Sequence, residues 1–410
     1  MAKKSTRSRS TTSKSTSSAK VEVVLEEVAP LTDEDAEIAL NEELEDAIIE
    51  AYESDALAEE IDDEEDVVVE EKKSKSKSKK KSTKKDEEEV ETPVDISELT
   101  VKDIPGVGPS IAKKLIESGF GNIRAIATLP PKQLQEDSGI GEKTALKIVL
   151  AAQELCNIDF VTADTVFERR QKLGRIVTGS NNLNELLGGG LESGAVTEFF
   201  GEFRTGKTQI AHQLCVNVQL PEDQGGLNGK ALYVDTEGTF RPERLAQMAI
   251  ARGMDVQKTL KNVVYARAYN CEHQINILKQ ARKIIEEQNI KLLIVDSVIG
   301  HFRSEFFGLG SLAPRQQLLN VHLHQIIQLA ETYSLAALVT NQVQSKPDVF
   351  FGNPTRAAGG NILGHASTYR IYLRKGKGDT RVAKMIDAPG LPESEAAFSI
   401  GENGISDVEE

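Results

Sequence analysis

From Ala195 to Arg374 the chain carries six short runs, AVTEFF, ALYVD, VVYAR, KLLIVD, LAALVT and YRIYLR, dominated by apolar, β-branched or aromatic residues. Runs of that length predict strands, and the stretches between them are predicted to be helices. Their alternation predicts a largely parallel sheet covered by helices, an α/β fold, over residues 173–410. A glycine-rich entry, TGSNNLNELLGGGLESG, opens this domain. Residues 96–156 differ: short amphipathic helical patterns are separated by the turn signals IPGVG, GFGN, LPP and SGIGEK, which predicts a small all-α domain. Residues 157–172 read as a linker.

Residues 1–95 show blocks of like charge, among them the lysine run KKSKSKSKKKSTKK, and almost no aromatic residues. Such a segment cannot bury enough apolar surface to offset the entropy of ordering, so a disordered charged tail is expected. Within it, Leu31 to Ile61 spaces its apolar residues almost helically and is expected to form at most an acidic helix against a partner.

Charge changes the picture once it is localised. The formal net charge of −15 disfavours a phosphate-binding role, but the tail holds 15 of the 49 basic and 29 of the 64 acidic residues. The remainder is nearly balanced and compatible with a local basic channel. Cys156, Cys215 and Cys271 are scattered and odd in number, which excludes a disulfide framework or close zinc pairing and fits a reducing compartment. No signal peptide or membrane-length apolar run is present, so a soluble cytoplasmic, nucleoid-associated protein is expected.

Gly201 to Thr208 reads GEFRTGKT and satisfies G-x-x-x-x-G-K-[ST], preceded by a predicted strand and followed by a predicted helix. Gly201 and Gly206 let backbone N–H groups turn around phosphates, Lys207 reaches the terminal phosphates, and Thr208 would ligate magnesium. Asp296, closing KLLIVD, is the expected magnesium-linked carboxylate. A group that orients the attacking water is also needed. Glu237, after ALYVD, is the candidate base, with Asp235 a competitor that spacing does not exclude. Asn341 and Gln342 follow LAALVT, where a side chain can sense the terminal phosphate.

These motifs, with YVDTEGTFRPER, LLIVDS, HFRSEFFG, LAPRQQ, TNQV, GGNILGHAST, YLRKGKGDTR and IDAPGLPE, resemble those of the archaeal RadA family of DNA strand-exchange recombinases, which is similar to the eukaryotic ones. The resemblance spans about residues 97–408. It implies a RecA-type P-loop ATPase core with a small helix-hairpin-helix domain. It further implies ATP and Mg2+ as cofactors, single- and double-stranded DNA as partners, and a homo-oligomeric filament, or a ring, with nucleotide between subunits. Recombination mediators are further expected partners. Carried over by motif, Gly201, Glu202, Phe203, Arg204, Thr205, Gly206, Lys207, Thr208 and Gln209 hold the phosphates. Glu237 becomes the base, Arg244 lies against adenine, Gln342 senses the terminal phosphate, His365 couples the neighbour's nucleotide to DNA, and Asp387 caps the adjacent subunit's ATP.

Two loops would grip DNA, one around Arg303 to Arg315 and one from about Gln344 to Gly360, through Arg303, Arg315, Lys346, Phe351 and Arg356. The family commonly has GRG in the first loop, whereas here Gly308-Leu309-Gly310 lacks the arginine. Ala357 and Ala358 also replace a frequent Pro-containing pair. Phe160 and Ala163 of FVTA match the motif by which one subunit adds a strand to the next. The glycine turns Gly106/Gly108 and Gly139/Gly141 resemble paired DNA-binding hairpins, assisted by Lys113, Lys114, Lys143 and Lys147. The complete hydrolytic set argues against a non-catalytic mediator, and the hairpin domain with FVTA against a hexameric helicase or signalling ATPase.

Overall fold

Four α-helices build the first domain in the computed structural model, which describes residues 99–156, 160–306, 308–345 and 355–408. These all fall within a single unit, Glu65–Glu410. The predicted tail and its acidic helix lie outside the described residues. The helices are α1 (Pro109–Glu117), α2 (Ile123–Ala127), α3 (Pro131–Ser138) and α4 (Glu142–Leu155). Pro109 and Pro131 occupy first-turn positions, where a missing N–H costs nothing. Gly106 and Gly139 turn the chain at φ +88° and +66°, a region that side-chain-bearing residues rarely adopt. Leu115, Phe120, Ile126, Leu134 and Ile148 fill this domain's own core.

The expected linker is partly helical. Helix α5 (Ala163–Gln171) buries none of its side chains, and Arg170 anchors it by reaching Glu192 at 3.0 Å.

The large domain runs β1 (Arg175–Ile176), α6 (Asn181–Leu186), β2 (Leu191–Glu192), β3 (Val196–Gly201), α7 (Lys207–Asn217) and β4 (Lys230–Asp235). It continues with α8 (Pro242–Ala251), α9 (Val256–Lys261), β5 (Val263–Arg267), α10 (Cys271–Gln288), β6 (Ile290–Asp296), α11 (Gly300–Glu305) and α12 (Leu312–Tyr333). Then follow β7 (Ala336–Asn341), β8 (Val343–Ser345), β9 (Thr355–Ala357), α13 (Gly360–Ala366), β10 (Tyr369–Lys375), β11 (Thr380–Asp387), β12 (Glu395–Gly401) and β13 (Gly404–Ser406). Among the described residues the main sheet has the order β13-β12-β11-β10-β3-β7-β6-β4-β5. Strands β10, β3, β7, β6, β4 and β5 are parallel, as expected. Beyond β10 the pairing is antiparallel, because short connections allow only that geometry.

Each face of the sheet has a core. Leu214 of α7 and Leu245 and Met248 of α8 pack on one, while Leu278 of α10 and Leu323 and Ile326 of α12 pack on the other. The central strands β3, β4, β6 and β7 end together at Gly201, Asp235, Asp296 and Asn341, so whatever follows each of them converges on one edge.

The helical domain is docked on α10 and α12. Arg282 pairs with Asp137 at 2.9 Å and lies over the Phe120 ring. Glu286 accepts from the Asn122 N–H at 3.1 Å and the Tyr333 hydroxyl at 3.0 Å. Burial raises the Glu286 pKa against those hydrogen bonds. No helix among the described residues is long and apolar enough to cross a membrane. The three cysteines are buried and unbridged.

Candidate active site

Strand β3 is buried throughout and delivers Gly201 to the sheet edge. A Cβ on Gly201 would lie 2.3 Å from the Leu373 carbonyl oxygen, so only glycine fits there. Gly206 has φ +107°, and a Cβ there would lie 2.4 Å from Ile400 Cδ1. Thr205 is buried and donates to the Glu202 carbonyl at 2.8 Å, which braces the turn. Glu202, Phe203 and Arg204 are exposed, with Arg204 at φ +64° and its guanidinium over the Phe203 ring.

Lys207 opens α7, and its Nζ donates to the carbonyls of Gly201 (2.6 Å) and Glu202 (2.9 Å). Burial lowers its pKa, against the pull of Asp296, Glu237 and Glu202. A cation held over a concave, glycine-lined turn at a helix N-terminus suits a polyphosphate.

Asp296 is buried at the end of β6, where an acid must be compensated. Thr208 donates to its Oδ2 at 2.9 Å, Tyr233 donates to the same oxygen at 2.6 Å, and Thr340 donates to its Oδ1. The Tyr233 hydroxyl is pushed well above its ordinary pKa, by burial first and by Asp296 second, so it remains a donor. A hydroxyl and a carboxylate beside the phosphate turn form an oxygen donor set that suits magnesium.

The geometry separates the two candidates for water activation. Asp235 is buried, and its Oδ1 accepts the N–H groups of Glu237 (3.0 Å), Gly238 (2.7 Å) and Thr239 (3.3 Å). Its Oδ2 takes the Phe240 N–H and the Tyr265 hydroxyl. With every lone pair engaged, Asp235 shapes the loop that presents Glu237. Glu237 itself is exposed and accepts from Gln342 Nε2 at 3.0 Å. His212 braces the same loop from α7. Its Nδ1 meets the Thr208 carbonyl at 2.6 Å, and its Nε2 accepts the Arg241 N–H at 3.0 Å, which defines a neutral tautomer. Burial lowers its pKa accordingly. Sequence reasoning missed His212, whose signal was a polar residue four positions after Thr208 on a buried helix.

Arg244 lies on α8 and reaches Gln209 (2.7 Å), Gln247 (2.9 Å) and the carbonyls of Gly401 (2.6 Å) and Glu402 (2.5 Å). It therefore ties α7 to the C-terminal strands beside the phosphate turn. His365 on α13 and Asp387 at the end of β11 are exposed, and among the described residues neither bonds to the phosphate turn.

The expected first DNA loop is corrected in form. Arg303 sits on α11 and Arg315 in the first turn of α12, because the apolar positions Phe302 and Leu312 bury against the core and carry helix into the segment. Leu309 begins a short 3-10 turn between them. Arg356 lies on β9, which pairs with β8, while Lys346 and Phe351 fall outside the described residues. In the helical domain, Gly108 caps α1 and Gly141 caps α4, and Lys113, Lys114, Lys143 and Lys147 are exposed beside them. Phe160 is fully exposed, and Ala163 starts α5.

Residues 169–408 match the family model described as Rad51, and residues 98–154 match that of the SAM-like helix-hairpin-helix tandem. The chain is also similar to the DNA repair and recombination protein RadA of Aeropyrum pernix, at 53% identity over 315 residues, which cover 77% of this chain and 98% of that protein.

Proposed function

The chain belongs to the Rad51 family and is a DNA recombinase with DNA-dependent ATPase activity; on that premise we propose that it assembles on single-stranded DNA as an ATP- and Mg2+-dependent filament and pairs that strand with a homologous duplex. The observation that carries the reading is the convergence of Lys207, Thr208, Asp296, Glu237 and Gln342 on one sheet edge. Phosphoryl transfer needs that set: a cation and a turn for the phosphates, a metal-holding pair, and a group that orients water.

Lys207 would exchange the carbonyls of Gly201 and Glu202 for phosphate oxygens, and Thr208 with Asp296 would hold magnesium. When bound, the metal neutralises phosphate charge and orients the transferring group. Glu237 would orient and deprotonate the attacking water, with Asp235 and His212 fixing its loop. Gln342, bonded to Glu237 at 3.0 Å, would respond when the terminal phosphate arrives. Arg244 would lie against the base of the nucleotide. His365 and Asp387, exposed, would meet the nucleotide of a neighbouring subunit.

Self-association is supported by the sheet edge formed by β5 among the described residues and by the exposed Phe160 of FVTA. Strand β5 ends the sheet order, and Val264, Ile277 and Ile284 beside it are only partly buried. A neighbour's extended FVTA segment would add to that edge and cover the apolar strip with Phe160 and Ala163. DNA would be held by Arg303, Arg315, Lys346, Phe351 and Arg356 and, without reading sequence, by the N–H groups at Gly106/Gly108 and Gly139/Gly141.

The test is strand exchange between a single-stranded circle and a labelled homologous duplex, with ATP and magnesium, for the wild type and Lys207→Ala. Joint molecules with the wild type alone are expected. Their absence from a wild type that binds DNA and hydrolyses ATP would overturn the proposal.

A further inference from the structure

The middle of β3 holds a fully buried carboxylate that takes no part in the chemistry above. Glu198 shares its strand with apolar neighbours and has no solvent exposure. Its two oxygens face opposite ways along the sheet. Oε2 accepts from Arg370 Nε on β10 at 2.8 Å, and Oε1 accepts from Asn341 Nδ2 on β7 at 2.9 Å. Burial raises the Glu198 pKa, and Arg370 opposes the shift.

Asn341 has both Nδ2 hydrogens engaged. Its second Nδ2 hydrogen goes to the Ala358 carbonyl at 2.7 Å, and its Oδ1 accepts the Gln342 N–H at 2.8 Å. Ala358 in turn donates its N–H to the Gln342 carbonyl at 3.0 Å. The carbonyl of Gln342, the residue bonded to Glu237, is thereby fixed directly to the chain that follows β9, and its N–H is fixed there through the Asn341 amide. Glu198 decides which way the Asn341 amide points, because only the NH2 end can face a carboxylate.

Arg370 extends the network. It lies over the ring of Phe200, one residue before the phosphate turn. Its guanidinium also packs so closely on Gly364 of α13 that a Cβ there would meet Nη1 at 3.0 Å. His365 is the next residue. One buried ion pair thus touches the strand under the phosphates and the helix that carries His365, and through Asn341 it reaches Gln342, the residue that contacts Glu237, and Ala358 just after β9.

We infer that Glu198, with Arg370 and Asn341, is a positioning residue that couples nucleotide state to DNA affinity: it holds Gln342, Ala358 and α13 in one rigid relation, so that a shift of Gln342 is passed to the DNA-facing segments. This rests on the reading of Gln342 as the group that responds to the terminal phosphate. It contacts no phosphate and no DNA itself. A packed interior with such a network switches between discrete arrangements rather than deforming gradually, which is what a coupling element needs.

The test measures the affinity of the full chain for a fluorescent single strand in the presence of a non-hydrolysable ATP analogue and in the presence of ADP. The ratio of the two is the coupling, expected to be roughly 5–150-fold in the wild type. In Glu198→Gln the amide would set a donor against Arg370 or Asn341, so the ratio should fall to within about twofold of unity. Affinity for the analogue without DNA and affinity for DNA with ADP should stay within about twofold of wild type, which a merely structural defect would not allow. If Glu198→Gln melts below the assay temperature, the double variant Glu198→Met/Arg370→Met is measured instead. It leaves no unpaired buried charge and should also lose the coupling. A folded variant that keeps the wild-type ratio overturns the inference and leaves the function reading intact. A wild-type ratio of one overturns the function reading, and the inference with it.

Discussion

Replacing Asp235 with asparagine separates the residue that shapes the loop from Glu237, the proposed base that the loop carries. Asparagine keeps an oxygen for the N–H groups of Glu237, Gly238 and Thr239 but removes the charge that strengthens those bonds. Charge-assisted hydrogen bonds are roughly twice as strong as neutral ones. Weakening three of them by roughly 0.5–1 kcal/mol each costs about 2 kcal/mol. The new NH2 also faces the Phe240 N–H, donor against donor, across 3.3 Å. The midpoint of thermal unfolding should fall by roughly 4–8 °C. Because an ångström of misplacement can cost up to about a hundredfold in rate, kcat for DNA-stimulated ATP hydrolysis should fall at least tenfold. The Kd for ATP should move less than about twofold, since Lys207 and the phosphate turn are untouched. Calorimetry, steady-state hydrolysis and titration with a fluorescent analogue read the three quantities. A variant that melts earlier yet keeps wild-type kcat would show that the loop need not be held for Glu237 to act, and the reasoning would fail.

Three further outcomes follow from the same geometry. Phe160→Glu should convert the proposed filaments or rings to monomers by light scattering, because the ring is exposed on its own chain and would be buried on a neighbour's; persistent oligomers would refute the edge-addition reading. His322 is fully buried, and burial pushes its pKa down to about 3, whereas an unfolded histidine titrates near 6.5. Below about pH 6.5 the unfolded chain therefore gains a proton that the folded chain refuses until about pH 3, and stability is lost across that window as pH falls. His322→Gln should remove about 2 kcal/mol of the loss between pH 7 and pH 5, and denaturation midpoints that fall in parallel would contradict the assignment. Arg282→Met keeps the aliphatic stem but abandons Asp137 in a mostly buried pair, at a cost of about 3 kcal/mol. Amide exchange of α2 should quicken at least tenfold while that of β6 does not change; equal rates would mean that the pair does not hold the helical domain.

The strands were legible because each is a short apolar run with clear ends, and the phosphate turn because glycine spacing and a following helix leave little other use for GEFRTGKT. Spacing alone could not separate the roles of Asp235 and Glu237, since they lie together at the end of one strand; the family resemblance chose Glu237, and the N–H groups gathered by Asp235 agree with that choice. The helices carrying Arg303 and Arg315 were hidden by flanking glycines and aromatics that suggest loop, although burial of Phe302 and Leu312 decides for helix. Helix α5 was read as linker because its hydrophobic periodicity is weak, and one contact, Arg170 to Glu192, anchors it. Glu198 was invisible in VTEFFG as anything but an oddity. Its partners lie more than a hundred positions downstream, a separation that no local pattern reports.

The position of β3 between β10 and β7 also has a consequence for how the chain is made. Both neighbours are translated long after it, so on the ribosome the phosphate strand emerges with two unpaired edges, and with Glu198 still lacking both Asn341 and Arg370. At elongation rates of roughly 5–20 residues per second, that exposure lasts on the order of ten seconds. The carbonyls of Gly401 and Glu402 that hold Arg244 come later still. The tie that Arg244 makes between α7 and the C-terminal strands therefore forms only once the chain 157 and 158 positions beyond Arg244 has emerged.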